Sequence, residues 1–347
     1  MAALYCAAYS QSLTPIQTVP ARVFERILLV PVRVRGHGPF WFVLDTASPT
    51  SAIDRRTATA IGLVLSADGT PPVSQNQIRL EVGGVPFDSR LDPTDLAYFG
   101  QTQDQPIDGV LGMDFFRRFI VRLDYDAEVV SLFAPQTRVP SNSEESLPVT
   151  IKKSLPYVAA LIKLPGKAVV MQTFLLDTST GDAINDNSFA HLGGAQIGPD
   201  LGRATYLQIG PYRFSGVNGT SGSSKLGGEL LHRFQLTLDI PHQRLVLTPN
   251  RHYSDAFLFD TSGLDIERSE LGLKITRVFD RAPGKEAGLR PGDEILSIDG
   301  QSVKHFTVAQ VRLMFHEVGK HRLLIESGGT QRTIELKLRF LLCAVAM

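Results

Sequence analysis

The chain has 347 residues, and its 35 basic side chains equal its 35 acidic ones, so the formal net charge is zero. This balance gives no overall field that would favour nucleic acid as a partner. Its two cysteines, Cys6 and Cys343, lie at opposite ends and predict no disulfide framework. No apolar run is long enough to predict a membrane-spanning helix. The eight histidines are scattered, and we expect neither a metal site nor a cofactor.

Thirty glycines and 21 prolines separate short apolar runs, which predicts a β-rich chain with many turns. After a turn at residues 36–39, residues 40–44 predict a buried strand that ends at Asp45. Asp54 is placed to cap a short helix over residues 55–61. Residues 80–87 then predict a hairpin with glycine at its turn.

The same order of elements returns later in the chain, where Asp186 is placed to cap the equivalent stretch around Phe189. Residues 174–180 (Phe-Leu-Leu-Asp-Thr-Ser-Thr) repeat residues 42–48 (Phe-Val-Leu-Asp-Thr-Ala-Ser), 132 positions further on. Residues 226–234 repeat residues 111–119 at a spacing of 115. A chain with one buried-looking carboxylate in each related half can bring the two together on a pseudo-twofold axis. Two close carboxyls then share a proton, because both cannot ionise cheaply.

Other acidic residues are repeated too, and we expect structural roles for them. Asp124 and Asp239 each lie in an alternating segment, where a carboxylate that forms a turn is typical. Asp114 and Glu229 each follow a glycine, and we expect them to cap a short helix.

Polar stretches at residues 135–145 and 250–254 indicate boundaries between three units. The predicted domains are two related lobes followed by a C-terminal domain, at residues 21–138, 146–252 and 258–340.

The C-terminal segment changes character. Residues 273–278 alternate as a strand, and residues 295–298 predict another, closed by a hairpin signal. Thr307 and Gln310 predict a capping box for a helix that continues to Val318. Two further strands are expected in the remaining residues.

The two Asp-Thr loops, each followed by an apolar segment and glycine, resemble the pepsin and retropepsin superfamily of aspartic peptidases over roughly residues 21–251. The resemblance implies that Asp45 and Asp177 form a dyad that activates water for attack on a peptide bond. Thr46 and Thr178 would brace the two loops across the axis. No metal or covalent intermediate is needed. The residues implied to contact substrate follow the two Asp-Thr pairs: Ala47, Ser48, Ser179 and Thr180.

The chain departs from that family at the third loop position. The family has glycine there because backbone passes close to the partner loop and the substrate, whereas this chain has Ala47 and Ser179. The segment expected to cover the cleft, residues 66–77, is short and has no aromatic residue. Both features favour an alternative in which the cleft holds chains without cutting them.

Residues 261–338 resemble a PDZ domain, most specifically at residues 282–300 (Ala-Pro-Gly-Lys-Glu-Ala-Gly-Leu-Arg-Pro-Gly-Asp-Glu-Ile-Leu-Ser-Ile-Asp-Gly). The resemblance implies a groove between the strand 273–278 and the helix 307–318. A peptide C-terminus or an extended segment would add there as a strand. Its carboxylate would be held by amides near three residues: Leu271, Gly272 and Leu273. The alternative is a packed module that stiffens the peptidase domain.

Together these features resemble bacterial aspartyl peptidases with a C-terminal PDZ module. We therefore expect a mainly β fold, in which a two-lobed pepsin/retropepsin-like domain precedes an α+β PDZ-like domain. The expected function is an aspartic endopeptidase with a polypeptide substrate, and the alternative is a catalytically impaired peptide-binding scaffold. The apolar start of the chain reads either as the remainder of a secretion signal or as a frayed end, so the compartment stays open.

Overall fold

The computed structural model describes residues 14–63, 77–97, 107–139, 146–190, 201–258 and 260–340. The predicted mainly β fold is confirmed. About half of the residues lie in short, mainly antiparallel strands joined by turns, as the many glycines and prolines predict.

The described residues of the first part of the chain form two short helices and a series of strands. The helices are α1 (Arg55–Ala60) and α2 (Met113–Phe116). The strands are β1 (Gln17–Pro20), β2 (Arg22–Phe24), β3 (Ile27–Val34), β4 (His37–Leu44), β5 (Ala52–Asp54), β6 (Ile78–Val82), β7 (Val85–Ser89), β8 (Asp92–Thr94), β9 (Gly109–Leu111), β10 (Ile120–Asp124) and β11 (Val129–Phe133).

Within its described residues, the second part repeats this plan and includes a short α-helix, α3 (Gly228–Leu231). A 3₁₀ turn at Asn187–Phe189 stands where the first part has α1. The strands are β12 (Ser146–Pro148), β13 (Thr150–Lys152), β14 (Leu155–Lys163), β15 (Val169–Leu176), β16 (Ile184–Asn185), β17 (Leu201–Ile209), β18 (Tyr212–Thr220), β19 (Lys225–Leu226), β20 (Phe234–Asp239) and β21 (Arg244–Pro249).

The third part is α+β, with helices α4 (Pro283–Glu286) and α5 (Val308–Met314). Its strands are β22 (Leu264–Arg268), β23 (Leu273–Val278), β24 (Glu294–Ile298), β25 (Gln301–Ser302), β26 (Gly319–Ser327) and β27 (Thr330–Leu338).

The two lobes share one topology. In the first lobe β4 pairs antiparallel with β3 and parallel with β9. In the second, β15 pairs antiparallel with β14 and parallel with β19. The strand that follows each aspartate loop, β5 or β16, pairs antiparallel with β9 or β19 in turn. The sequence repeat is therefore a structural repeat, and equivalent strands end at equivalent points.

A six-stranded sheet in the order β1-β11-β10-β20-β21-β12 joins the lobes. At its centre β10 pairs with β20, with Val121 opposite Leu238. One apolar core runs through both lobes and contains Phe116 of the first and Phe234 of the second. The two lobes therefore share both a sheet and a core.

Several of the acidic residues with predicted structural roles have those roles in the structure. Asp54 and Asp186 are confirmed as N-caps, because their carboxylates accept hydrogen bonds from the N–H groups of Arg56 and Ser188. Asp124 forms a turn as predicted, since its carboxylate accepts the N–H groups of the next residues in that turn.

The prediction that Asp114 and Glu229 cap helices is wrong. Helices α2 and α3 have glycine N-caps without a side-chain hydrogen bond. Asp114 instead accepts from the hydroxyl of Ser51 at 2.8 Å. Glu229 forms ion pairs with Arg26 and Arg233, because tertiary packing brings those guanidinium groups to it.

The C-terminal domain has its own sheet, in the order β22-β23-β24-β26-β27, and its own apolar core. The capping box of Thr307 and Gln310 at the start of α5 is confirmed. The helix ends at Met314, earlier than predicted, and Phe315 forms its C-cap.

Candidate functional site

Asp45 and Asp177 occupy equivalent positions at the ends of β4 and β15. The N–H of Asp45 donates to the carbonyl of Leu111 at 3.0 Å, and the N–H of Asp177 donates to the carbonyl of Leu226 at 2.9 Å. Each aspartate is thus tied to the parallel neighbouring strand of its own lobe. The two halves of the repeat therefore present their carboxylates in the same way.

The threonines that follow these aspartates bond reciprocally across the lobe interface. The hydroxyl of Thr46 donates to the carbonyl of Leu176 at 2.7 Å, and that of Thr178 donates to the carbonyl of Leu44 at 2.6 Å. Each hydroxyl also accepts the N–H of the other threonine, at 3.1 and 3.2 Å. Both threonines are buried. This symmetric set of bonds holds the two aspartate loops against each other.

A glycine in each lobe lets the chain pass close to these loops. A Cβ at Gly112 would lie 2.5 Å from the carbonyl oxygen of Thr50, and one at Gly227 would lie 2.5 Å from that of Asp182. These are the glycines that follow the apolar segment of each repeat. Their small size is required because two backbone segments touch there.

The carboxyl of Asp45 is electrostatically coupled to Asp177. The pKa of Asp45 is raised from 3.8 to about 6. Burial is the largest cause, and the negative charge of Asp177 is the second. The N–H of Ala47, which donates to Asp45 Oδ1 at 2.7 Å, opposes this shift. Below about pH 6, Asp45 therefore holds a proton next to a second carboxyl.

Asp177 is more deeply buried than Asp45, at 2% exposure, and it has stronger hydrogen-bond partners. Its Oδ1 accepts the N–H and the hydroxyl of Ser179 at 3.0 and 2.8 Å. Its Oδ2 accepts the ammonium of Lys225 at 2.8 Å. Lys225 is not predicted from the sequence as a partner of Asp177. The signal that could have found it is a lysine at a repeat position that is apolar in the first lobe.

The other predicted loop residues bond within their own loops. Ser48 donates through Oγ to the carbonyl of Thr50 at 2.7 Å. The carbonyl of Thr180 accepts the N–H of Gly228 at 2.7 Å. Contact of Ala47, Ser48, Ser179 and Thr180 with substrate stays a prediction. The segment predicted to cover the cleft lies, up to residue 76, outside the described residues.

One histidine cluster was not expected from the sequence. Potential ligand atoms of His232, His252 and Asp255 lie within 4.8 Å of one another. Burial, together with the charges of Arg26 and Arg233, lowers the pKa of His232 to about 3. The same positive charges that disfavour a proton there disfavour a metal ion, so we propose no metal at this cluster.

The structure contradicts the predicted location of the PDZ groove. β23 is paired on one side with β22 and on the other with β24, so it offers no free edge for an added strand along Leu273. The edge strands of this sheet are β22 and β27, and β22 lies next to α5. The strand predicted to line the groove is therefore wrong, because the order of strands in a sheet is not visible in local pattern.

The predicted carboxylate-binding residues form the turn between β22 and β23 instead. The N–H of Gly272 donates to the hydroxyl of Ser269, and the carbonyl of Gly272 accepts the N–H of Ser269. Leu271 is 55% exposed at the tip, and Leu273 pairs with Arg268. The Leu271-Gly272-Leu273 segment is therefore engaged in its own hairpin.

The edge formed by β22 and α5 contacts the first lobe. Arg312 of α5 donates to the carbonyl of Ile266 in β22 at 3.0 Å and forms an ion pair with Glu25. Glu25 lies in the turn between β2 and β3. Ala309 of α5 packs against an apolar cluster of the first lobe that includes Trp41. The peptidase-like and PDZ-like parts are thus in direct contact.

Two family models match separate parts of the chain. A family model described as aspartyl protease matches residues 30–115, and a PDZ domain model matches residues 260–326. A crystal structure of an aspartic proteinase from Irpex lacteus is similar at 13% identity with a TM-score of 0.41, over 70% of this chain and 99% of that chain. No curated protein matches the chain.

An aspartyl protease match in the first lobe is therefore followed by a PDZ domain match towards the C-terminal end of the chain. Among the residues that the structure describes, no helix has the length and apolar character needed to cross a membrane.

Proposed function

We propose that this protein is an aspartic endopeptidase that hydrolyses peptide bonds with a water activated by Asp45 and Asp177. The observation that carries the proposal is the equivalent placement of the two carboxyls. Each ends a strand of one lobe, and the reciprocal bonds of Thr46 and Thr178 hold the loops together. The aspartyl protease family match includes Asp45 and ends before Asp177.

The dyad works in the state that holds a single proton. One carboxylate takes a proton from the attacking water, while the other, protonated, polarises the carbonyl of the peptide bond. A pKa of about 6 for Asp45 keeps that proton in place at mildly acidic pH. Activity is therefore expected to be highest below pH 6 and to fall as Asp45 ionises.

The PDZ domain would bind polypeptide at the edge of β22. An extended chain that pairs with this edge would gain backbone hydrogen bonds, and side chains of α5 would form the other wall. Arg312 already occupies the carbonyl of Ile266 on β22. Peptide addition would therefore have to displace this guanidinium.

The second candidate function is a peptide-binding scaffold with an impaired cleft. Ala47 and Ser179 favour it, because they put side chains where the resembling family has glycine. The hydroxyl of Ser179 bonds to Asp177 and competes with water for that carboxylate. Under this alternative the A47G/S179G double variant would gain cleavage that the natural chain lacks.

The primary test is cleavage of an unbiased peptide library between pH 3 and pH 8 by the wild type, Asp45→Asn and Asp177→Asn. We expect the wild type to cleave and each variant to lose at least about 100-fold in rate, the typical contribution of a positioned acid or base. Equal cleavage by all three proteins would remove the dyad from the mechanism.

A further inference from the structure

The two lobes differ in charge directly beside the dyad. In the first lobe, the parallel pairing of β4 with β9 places Val110 opposite Val43. In the second, the same pairing of β15 with β19 places Lys225 opposite Leu175. Lys225 thus stands at the structural equivalent of Val110. An ammonium replaces an apolar side chain in one lobe only.

This ammonium contacts only Asp177 of the pair, and its charge is the smallest of the influences on Asp45, whose pKa it lowers. Lys225 Nζ donates to Asp177 Oδ2 at 2.8 Å, and the side chain of Asp177 is almost fully buried while that of Lys225 is 31% exposed. The other oxygen of Asp177 accepts two hydrogen bonds from Ser179. Both oxygens of Asp177 are therefore bound by donors that favour its ionised form.

We propose that Lys225 is a positioning residue that keeps the negative charge of the dyad on Asp177 and leaves the shared proton on Asp45. The inference rests on the proposed peptidase function and assigns the two carboxyls different roles. In a symmetric dyad the proton would be divided between them. Here a single cation breaks the symmetry.

The assignment fixes the direction of each proton transfer. The water oxygen bonds to the carbonyl carbon, its proton passes to Asp177, and the proton of Asp45 passes to the carbonyl oxygen. When the C–N bond breaks, the leaving nitrogen takes the proton from Asp177. One hydroxyl of the intermediate returns its proton to Asp45. Both carboxyls then regain their starting states, and no other reactant is needed.

The test is the pH dependence of kcat/KM for Lys225→Met, which keeps most of the side-chain volume and removes the charge. Without the ammonium, negative charge on the dyad is less favourable, so both limbs of the profile should move to higher pH. A shift of about one pH unit in the acidic limb is expected, the low end of the effect of an adjacent cation on a carboxyl.

Two further variants control this measurement. Lys225→Arg retains a cation and should restore the wild-type profile in large part. Lys167→Met removes one positive charge from the turn between β14 and β15, at the opposite end of β15 from Asp177, and should leave the profile unchanged. If the limbs stay in place in Lys225→Met, or if Lys167→Met moves them equally, the inference is wrong.

A direct titration separates this inference from the proposed function. Carboxyl ¹³C resonances of protein labelled at aspartate, assigned with Asp45→Asn and Asp177→Asn, report the proton uptake of the dyad without substrate. If the wild type cleaves no peptide but the dyad titration moves up in pH in Lys225→Met, the role of Lys225 stands and the peptidase proposal fails. If the wild type cleaves peptide but neither the dyad titration nor the pH profile moves in Lys225→Met, the peptidase proposal stands and the role of Lys225 fails.

Discussion

Thr46 and Thr178 each donate a hydrogen bond to the carbonyl that precedes the aspartate of the opposite lobe, at 2.7 and 2.6 Å. The last peptide of each strand is therefore completed by the other lobe. Because both hydroxyls are buried, the carbonyls of Leu44 and Leu176 have no water as a substitute. The alignment of the dyad depends on these two hydroxyls.

The first prediction concerns this pair. Thr46→Val keeps the shape of the side chain but removes the donor to Leu176 and the acceptor for the N–H of Thr178. We expect the free energy of unfolding to fall by about 1–3 kcal/mol, the cost of leaving a buried polar group unpaired. Urea denaturation measures it. Thr46→Ser retains the hydroxyl and should lose less stability than Thr46→Val. Equal losses of stability in the two variants would contradict the proposed role of the hydrogen bond.

The second prediction is a pH-dependent stability difference at Asp45. Its pKa is about 6 in the folded protein and 3.8 ordinarily, so the native state holds this proton to higher pH than the unfolded state does. The free energy of unfolding therefore falls as pH rises from about 4 to about 6. Asp45→Asn removes the ionisable group and therefore this pH-dependent loss of stability. The variant should be more stable than the wild type above pH 6, by on the order of 3 kcal/mol.

Asp177→Asn provides the contrast. This change leaves the ammonium of Lys225 without its carboxylate partner and weakens the bonds from Ser179. We expect it to be less stable than Asp45→Asn at pH 7, when thermal unfolding of both is compared. Equal stability at pH 7, or a stability advantage of Asp45→Asn that persists below pH 4, would contradict the asymmetry of the pair.

The third prediction concerns the close passage of backbone at Gly227. A Cβ there would meet the carbonyl oxygen of Asp182 at 2.5 Å, and backbone cannot rotate away as a flexible side chain can. Gly227→Ala should cost about 1–3 kcal/mol through overpacking and reduce cleavage, since α3 and the Asp177 loop must separate. Gly319→Ala, where nothing lies within 4 Å, is the matched control and should be close to neutral.

The fourth prediction concerns the contact between the two domains. Arg312 forms an ion pair with Glu25, and Glu25 Oε1 is buried without a hydrogen bond. Arg312→Met would leave this carboxylate without its cation, so we expect a loss of about 1–2 kcal/mol, less than for a fully buried pair. Calorimetry should show that the two domains unfold less cooperatively than in the wild type.

The double variant E25Q/R312M isolates the pair. If the two groups act together, the double variant should be more stable than the sum of the single changes predicts, by about 1 kcal/mol. Additive single changes would mean that Arg312 acts through its hydrogen bond to Ile266 and not through Glu25.

Local pattern was enough for elements whose chemistry lies within a few residues. Asp54 and Asp186 were recognised as N-caps because a cap and its N–H partner are two positions apart. The capping box of Thr307 and Gln310 spans three positions and was found for the same reason. The repeat also located the aspartates, since it records which strands are equivalent in the two lobes.

Local pattern failed where the partner is distant in sequence. Glu229 looked like a helix cap, yet Arg26, about 200 positions away, pairs with it and changes its role. The groove of the PDZ domain was assigned to the wrong strand because β22 was not recognised, so the free edge was placed on β23. Hydrophobic alternation identifies a strand but does not order it among its neighbours.

The sequence by itself determined that two related lobes each end a strand with Asp-Thr, and that a PDZ domain follows. This was possible because each copy of the repeat is a short run of consecutive residues that can be compared directly with the other copy. Only the tertiary structure decided that the dyad is asymmetric, with Lys225 bound to Asp177. It also decided that the sheet edge beside α5 is β22 and that Arg312 joins this edge to Glu25 of the first lobe. Charge pairs and sheet edges form between segments that the chain brings together only on folding.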